Sequence, residues 1–142
     1  MSEQRKILVI DDDESNRVIL YELLARMGCD VRLCPNGKTG LEEVTAAADE
    51  PFYLAFIDLH LPDVPGVAII KAVRESSQQT FIVTATMDDD AQVVRRAYQA
   101  GSDMYLVKPY NVTHVMRLAN EAPRGKRWIV DQFGLREYLG TV

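Results

Sequence analysis

What this chain has little of already narrows its class. Two cysteines in 142 residues cannot build the disulfide framework of a small secreted scaffold. Cys29 and Cys34 share one strand-like stretch, Cys29-Asp-Val-Arg-Leu-Cys34, and stand about 16 Å apart if it is extended at ~3.3 Å per residue. That is too far for a bridge, and neither a CxxC nor a metal-ligand spacing is present, so two free thiols are expected. Long apolar runs are missing as well: residues 7–10 and 52–57 fall far short of the ~20 that a membrane span needs. No secretory leader is expected, because Met1-Ser2-Glu3-Gln4 runs straight into a strand-like segment. Nor is there an excess of basic charge. Lys and Arg number 16 against 21 Asp and Glu, a net of −5, which argues against direct nucleic-acid backbone binding. What remains, 47% hydrophobic and 26% charged, is ordinary globular composition. The expectation is a soluble, cytoplasmic protein dominated by one domain.

Apolar runs alternate with helical patterns along the chain. Strands are expected at 6–10, 29–34, 52–57, 81–85 and 104–107. After the first, Val18, Leu20, Leu23, Leu24 and Met27 fall on one helical face that stops at Gly28. Further helices are expected at 38–48, 67–74, 90–100 and 112–122. The third strand lacks polar alternation, as it should when both faces are covered. Five βα units require right-handed crossovers and a largely parallel sheet. The expected fold is therefore α/β, a doubly wound five-stranded sheet of order 2-1-3-4-5. In that layout chemistry collects beyond the carboxyl ends of the strands, near the switch point between strands 1 and 3.

The residues at those ends are chemically telling. Strand 1 is followed by Asp11 and Asp12, strand 3 by Asp58, strand 4 by Thr86 and strand 5 by Lys108. Three carboxylates converging raise one another's pKa, and a cation is the simplest way to keep them ionised. Oxygen-only ligands with room for water favour Mg²⁺ over zinc. Together with an ammonium and a hydroxyl, these are the parts that hold a phosphoryl group.

Three stretches carry a resemblance. Ile-Leu-Val-Ile-Asp11-Asp12-Asp13-Glu-Ser-Asn-Arg17, Asp58-Leu-His-Leu-Pro62-Asp-Val-Pro-Gly66 and Ala100-Gly-Ser-Asp-Met-Tyr105-Leu-Val-Lys108-Pro109-Tyr110 occur in this order. They resemble the receiver domains of two-component response regulators, CheY-like and flavodoxin-like in fold, over about residues 5–122. The resemblance implies a phosphorylation switch in a phosphorelay rather than a turnover enzyme. Asp58 would accept a phosphoryl group from a phosphohistidine on a sensor histidine kinase or phosphotransfer protein. Asp12, Asp58 and the backbone carbonyl of His60 would ligate Mg²⁺, with Asp11 acting mainly through water. Lys108 would pair with a phosphoryl oxygen, Thr86 would hydrogen-bond the phosphoryl, and Tyr105 would turn inward. The Lys108-Pro109 peptide would be cis. Output would run through the face made by strand 4, helix 4, strand 5 and helix 5, toward a downstream protein target, an output domain or a second copy.

Thr84 competes with Thr86 for the switch position. Thr84-Ala85 imitates the family's usual Thr-Ala pair, whereas Thr86 stands 22 residues before Lys108 and 15 before Gly101, matching the family's ungapped spacing better. Thr86 is preferred, with Met87 replacing the usual small neighbour; His60 and Asp88 fall at variable positions that tune dephosphorylation in the family.

The receiver-like part is expected to cover 1–122, leaving 123–142 as a short extension. With four basic and two acidic side chains this tail nets +2, and Trp128, Ile129, Phe133, Leu135, Tyr138 and Leu139 make it too apolar for a free linker. It is expected to pack on the receiver or on a second subunit, or else to be the stub of an output region. The competing function is a small Mg²⁺-dependent phosphohydrolase working through an aspartyl-phosphate. The residue two after Asp58 is His60 rather than a second acid, and no cap insertion is present, which counts against it.

Overall fold

Strict alternation of buried side chains on the central strands splits the core into two layers, and everything else is arranged around that split. The structure is a computed structural model and describes residues 4–140. In chain order the elements are β1 (Lys6–Ile10), α1 (Glu14–Arg26), β2 (Asp30–Cys34), α2 (Gly37–Ala46), β3 (Leu54–Asp58), α3 (Gly66–Ser76), β4 (Phe81–Thr86), α4 (Ala91–Ala100), β5 (Met104–Val107), α5 (Val112–Asn120), β6 (Trp128–Asp131) and β7 (Gly134–Glu137). Leu8, Ile10, Ala55, Ile57 and Ile82 face α2, α3 and α4 through Val44, Ile69, Ile70, Val73, Val94 and Ala97. Ile7, Val9, Leu54, Phe56, Phe81 and Val83 face α1 and α5 through Leu20, Leu24, Val115 and Leu118. A period of two on the strands meets a period near 3.6 on the helices, so each helix covers one face.

The sheet runs β2-β1-β3-β4-β5-β6-β7, so the order expected for the first five strands holds and all of their pairings are parallel. The expected five-stranded sheet is, however, extended to seven. β6 pairs with β5 in parallel, Met104 opposite Trp128 and Leu106 opposite Val130, with α5 as the crossover. β7 returns antiparallel to β6. The physical reason lies in the unsatisfied edge of β5: its backbone groups need partners, and a strand whose Val130 and Ile129 add to the two core layers supplies them. The β5 edge of the face that the resemblance assigns to output is consequently occupied by the chain itself. Both cysteines are free thiols, Cys34 buried and Cys29 partly so, and burial pushes the Cys34 thiol up to about 11. No helix among the described residues is long and apolar enough to cross a membrane.

Several contacts fasten the tail. Tyr53 accepts the Ala122 N–H at 2.9 Å, and the guanidinium groups of Arg5 and Arg124 lie over its ring, 4.3 and 5.1 Å from the centroid. Trp128 Nε1 donates to the Pro123 carbonyl at 2.7 Å. On α4, the buried Tyr98 donates its hydroxyl to the Trp128 carbonyl and stacks on Tyr138, centroids 4.4 Å apart and planes at 19°. An aromatic pair of this kind contributes about 1 kcal/mol beyond the area it buries. Replacement of Tyr138 by Ala is therefore expected to ease local opening of the hairpin by that amount. Trypsin should then cut after Arg127 about fivefold faster, with the global unfolding midpoint barely moved. Unchanged cleavage would show that the stack does not hold the hairpin down.

Candidate functional site

Parallel strands deliver their carboxyl ends to one rim, and that rim gathers residues remote in sequence. Asp11 follows β1, Asp58 ends β3, Thr86 ends β4 and Lys108 follows β5. One carboxylate oxygen from each of Asp11, Asp12 and Asp58 lies within 4.8 Å of the other two. Asp11 and Asp58 are buried and Asp12 is open to solvent. The Lys108 ammonium reaches between the two buried carboxylates, 2.9 Å from Asp11 Oδ2 and 3.2 Å from Asp58 Oδ2.

Local sequence holds each acid in place. Asp11 Oδ1 accepts the Asp13 N–H at 2.9 Å, and Asp11 Oδ2 also receives the Asn16 amide at 3.4 Å and the Tyr110 hydroxyl at 3.3 Å. Arg17 binds the Asp11 carbonyl at 2.7 Å. Asp13 caps α1 by accepting from Ser15 and Asn16, the structural role expected of an acid at a helix start. Asp58 Oδ1 accepts the N–H of His60 at 3.0 Å. The loop after Asp58 then folds tightly back. A Cβ on Gly66 would fall 2.6 Å from both the Leu59 Cα and carbonyl oxygen, so only glycine fits. Asp63 fixes the same loop to α2 by accepting the Gly37 and Lys38 N–H groups at 2.8 and 2.9 Å, which hold its carboxyl below the usual range.

Burial raises the Asp58 carboxyl above its ordinary value despite the His60 N–H and the Lys108 charge, which pull the other way. For Lys108 burial favours the neutral amine, but the hydrogen bond and charge of Asp11, followed by those of Asp58, outweigh it and leave the ammonium above its usual range. The Tyr110 phenol is pushed well up by burial and by the two carboxylates it faces, so it meets Asp11 as a neutral donor. Three oxygen ligands against one ammonium leave negative charge facing solvent at Asp12, a donor set suited to a hard divalent cation.

The structure brings Asp11, Asp12, Asp58 and Lys108 into one cluster and sets Thr86 beside it. Thr86 lies opposite Val107, its carbonyl accepts the Lys108 N–H at 2.7 Å, and its hydroxyl accepts the Asp88 N–H at 3.1 Å. The Thr84 hydroxyl is instead spent on Ser102 at 2.8 Å, away from the rim. Tyr105 is wholly buried, and its hydroxyl donates to the Asp88 carbonyl. His60 is exposed, its ring 3.9 Å from the Asp88 carboxylate. The Lys108-Pro109 peptide is cis. Tyr110 and Asp63 escaped the reading of the sequence, because neither pattern nor spacing shows where a loop side chain turns.

Residues 7–120 match the response regulator receiver domain family. The probable chemotaxis protein CheY of Rhizobium etli is 27% identical over 128 residues, which span 88% of this chain and 96% of that protein. The sensory/regulatory protein RpfC of Xanthomonas campestris pv. campestris is 33% identical over 108 residues, 73% of this chain but only 14% of that protein. Among solved structures, a two-component response regulator from Clostridium difficile superposes with a TM-score of 0.76 at 26% identity, covering 86% of this chain and all of that one.

The electrostatics of the cluster have measurable consequences. Asp58 holds its proton more tightly folded than unfolded, so ionising it costs the fold, and that contribution to stability is lost as pH rises through its folded range. Without divalent metal at neutral pH, Asp58→Asn should thus be more stable than wild type by about 1 kcal/mol, the size of one desolvation penalty. Lys108→Ala should move oppositely, by about 3 kcal/mol, because it leaves two buried carboxylates facing each other. Urea unfolding in EDTA measures both; equal signs for the two variants would refute the assignment.

Proposed function

The chain belongs to the response-regulator receiver family, whose members are phosphoacceptors rather than turnover enzymes, and on that premise we propose that Asp58 is its phosphoacceptor. The observation that carries this reading is the placement of Asp58, buried at the rim, against the Lys108 ammonium and within 4.8 Å of the Asp11–Asp12 pair. The donor is a phosphohistidine on a sensor histidine kinase or phosphotransfer protein. Its P–N bond breaks as a P–O bond forms to a carboxylate oxygen of Asp58, and the imidazole nitrogen keeps the electron pair and takes a proton.

Asp12, Asp58 and the His60 carbonyl would hold Mg²⁺, while Asp11, whose oxygens already receive Asp13, Asn16, Tyr110 and Lys108, would act through water. Bound there, the cation offsets the charge shared by carboxylates and phosphoryl oxygens. Lys108 turns from Asp58 to the new phosphoryl oxygen without leaving Asp11. Thr86 gives up the Asp88 N–H and donates its hydroxyl to the phosphoryl. Because Tyr105 is already inside, what changes there is its partner, the Asp88 carbonyl of the β4–α4 loop, rather than the ring. His60 and Asp88, side by side over the site, set how fast water removes the phosphoryl group. Residues 1–122 form the receiver of a cytoplasmic phosphorelay protein, and of the extension 123–142 the described part, to residue 140, is packed against it.

Incubation of the full chain with Mg²⁺ and acetyl phosphate should add one phosphoryl mass, absent in Asp58→Asn and in excess EDTA. Lys108→Ala should slow the reaction about a hundredfold. Sustained release of phosphate from a monoester, cycle after cycle, would instead identify a phosphohydrolase.

A further inference from the structure

Because β6 runs parallel to β5, it delivers its carboxyl end to the same rim as Lys108, and the β6–β7 turn projects from there. Leu106 lies opposite Val130, which brings Asp131 to the level of Val107 and the turn beyond it. The turn is built rather than loose. Asp131 accepts the Phe133 N–H at 2.8 Å and is paired with Arg136, and Gly134 follows with φ of +109°. Phe133, at its apex, is 86% exposed. Between this turn and the loop after β5 runs a groove of about 480 Å³, walled by Lys108, Pro109, Tyr110 and Asn111 on one side and by Asp131 and Phe133 on the other.

Phe133 is not alone. Met87, directly after Thr86, is 82% exposed, and Val18 on α1 and Val112 at the start of α5 are exposed as well. All four belong to segments that begin at the carboxyl ends of strands, so apolar side chains stand around a charged centre. A small anionic donor has no use for such a surround, whereas a macromolecular donor does: apolar contacts there exclude water and anchor the partner.

Resting on the reading of Asp58 as phosphoacceptor, we propose that the β6–β7 turn is a docking element for the phosphohistidine-bearing protein, with Phe133 as its anchor. A protein that brings its phosphorus to Asp58 approaches the rim on which Lys108 lies, and the groove that Lys108 shares with Phe133 borders that rim. The turn lies outside the matched residues 7–120, so it selects donors by means the receiver part alone does not supply.

The test compares two donors on the full chain. One is acetyl phosphate. The other is the set of autophosphorylated cytoplasmic fragments of every sensor histidine kinase in the source genome, together with the phosphotransfer proteins they charge, the fastest donor being used for the variants. Phe133→Ala should slow transfer from the kinase about tenfold and Phe133→Glu further, with acetyl phosphate labelling unchanged. Leu139, 85% exposed but past the far end of β7, provides a control whose change to Ala should alter neither rate. Equal loss with both donors, no loss with either, or an equal effect of Leu139→Ala would overturn the proposal. So would a wild-type chain that takes phosphate from acetyl phosphate and from none of the kinases or phosphotransfer proteins. Failure of wild type with acetyl phosphate as well would instead reject Asp58 as phosphoacceptor.

Discussion

One ammonium between two buried carboxylates governs this molecule. Lys108 follows β5, whereas Asp58 ends β3 and Asp11 follows β1, so the contact spans strands that are not neighbours. At ~4.8 Å per strand, β5 and β3 are about 10 Å apart, a gap that only a long side chain bridges. The contact therefore exists only when the sheet has the order β1-β3-β4-β5 and all these strands point the same way. Reverse one strand, and its charge moves to the opposite end of the sheet. Neither acid is tolerable at such burial without the amine, and the amine is tolerable there only because the acids keep it charged.

The tail obeys the same geometry for a different reason. In a five-stranded sheet β5 would be an edge, with unpaired backbone groups along the face to which output is assigned by resemblance. Here β6 satisfies those groups, Val130 and Ile129 extend the two core layers, and Tyr98 of α4 is tied to the Trp128 carbonyl and the Tyr138 ring. Any partner approaching this side meets the hairpin before it meets β5. The parallel direction of β6 follows from the α5 crossover, and it alone decides that the turn falls at the chemical rim and not at the far end.

How far these features could be read from the sequence depends on how local their causes are. The solid apolar run of β1 and the Leu20, Leu23, Leu24 and Met27 face of α1 are local patterns that locate both elements, although Val18, expected on that face, is exposed. Asp11, Asp58, Thr86 and Lys108 were legible because a parallel sheet turns "next residue after a strand" into a spatial address. β6 was not: Trp-Ile-Val-Asp is four residues long, without a period to read, and becomes a strand only because β5 presents an edge. Tyr110 and Asp63 were hidden for a related reason. Their roles depend on loop paths, which follow from tertiary contacts such as the close approach of Gly66 to Leu59.

The raised affinity of Asp58 for its proton ties stability to chemistry. A carboxylate that burial disfavours is a carboxylate that gains from any new positive neighbour or from sharing its charge in a new bond. The cost is borne in the resting fold, and it is bearable because hydrogen bonds from His60 and Lys108 keep it partial. Were Asp58 as exposed as Asp12, its charge would be solvated and far less sensitive to Lys108. Burial makes the neighbours of Asp58 respond to what it carries. Of these, the Lys108 backbone is bound to Thr86, and Thr86 through Asp88 to the Tyr105 hydroxyl, so the residues beside that carboxylate are tied to the loop between β4 and α4 and to β5.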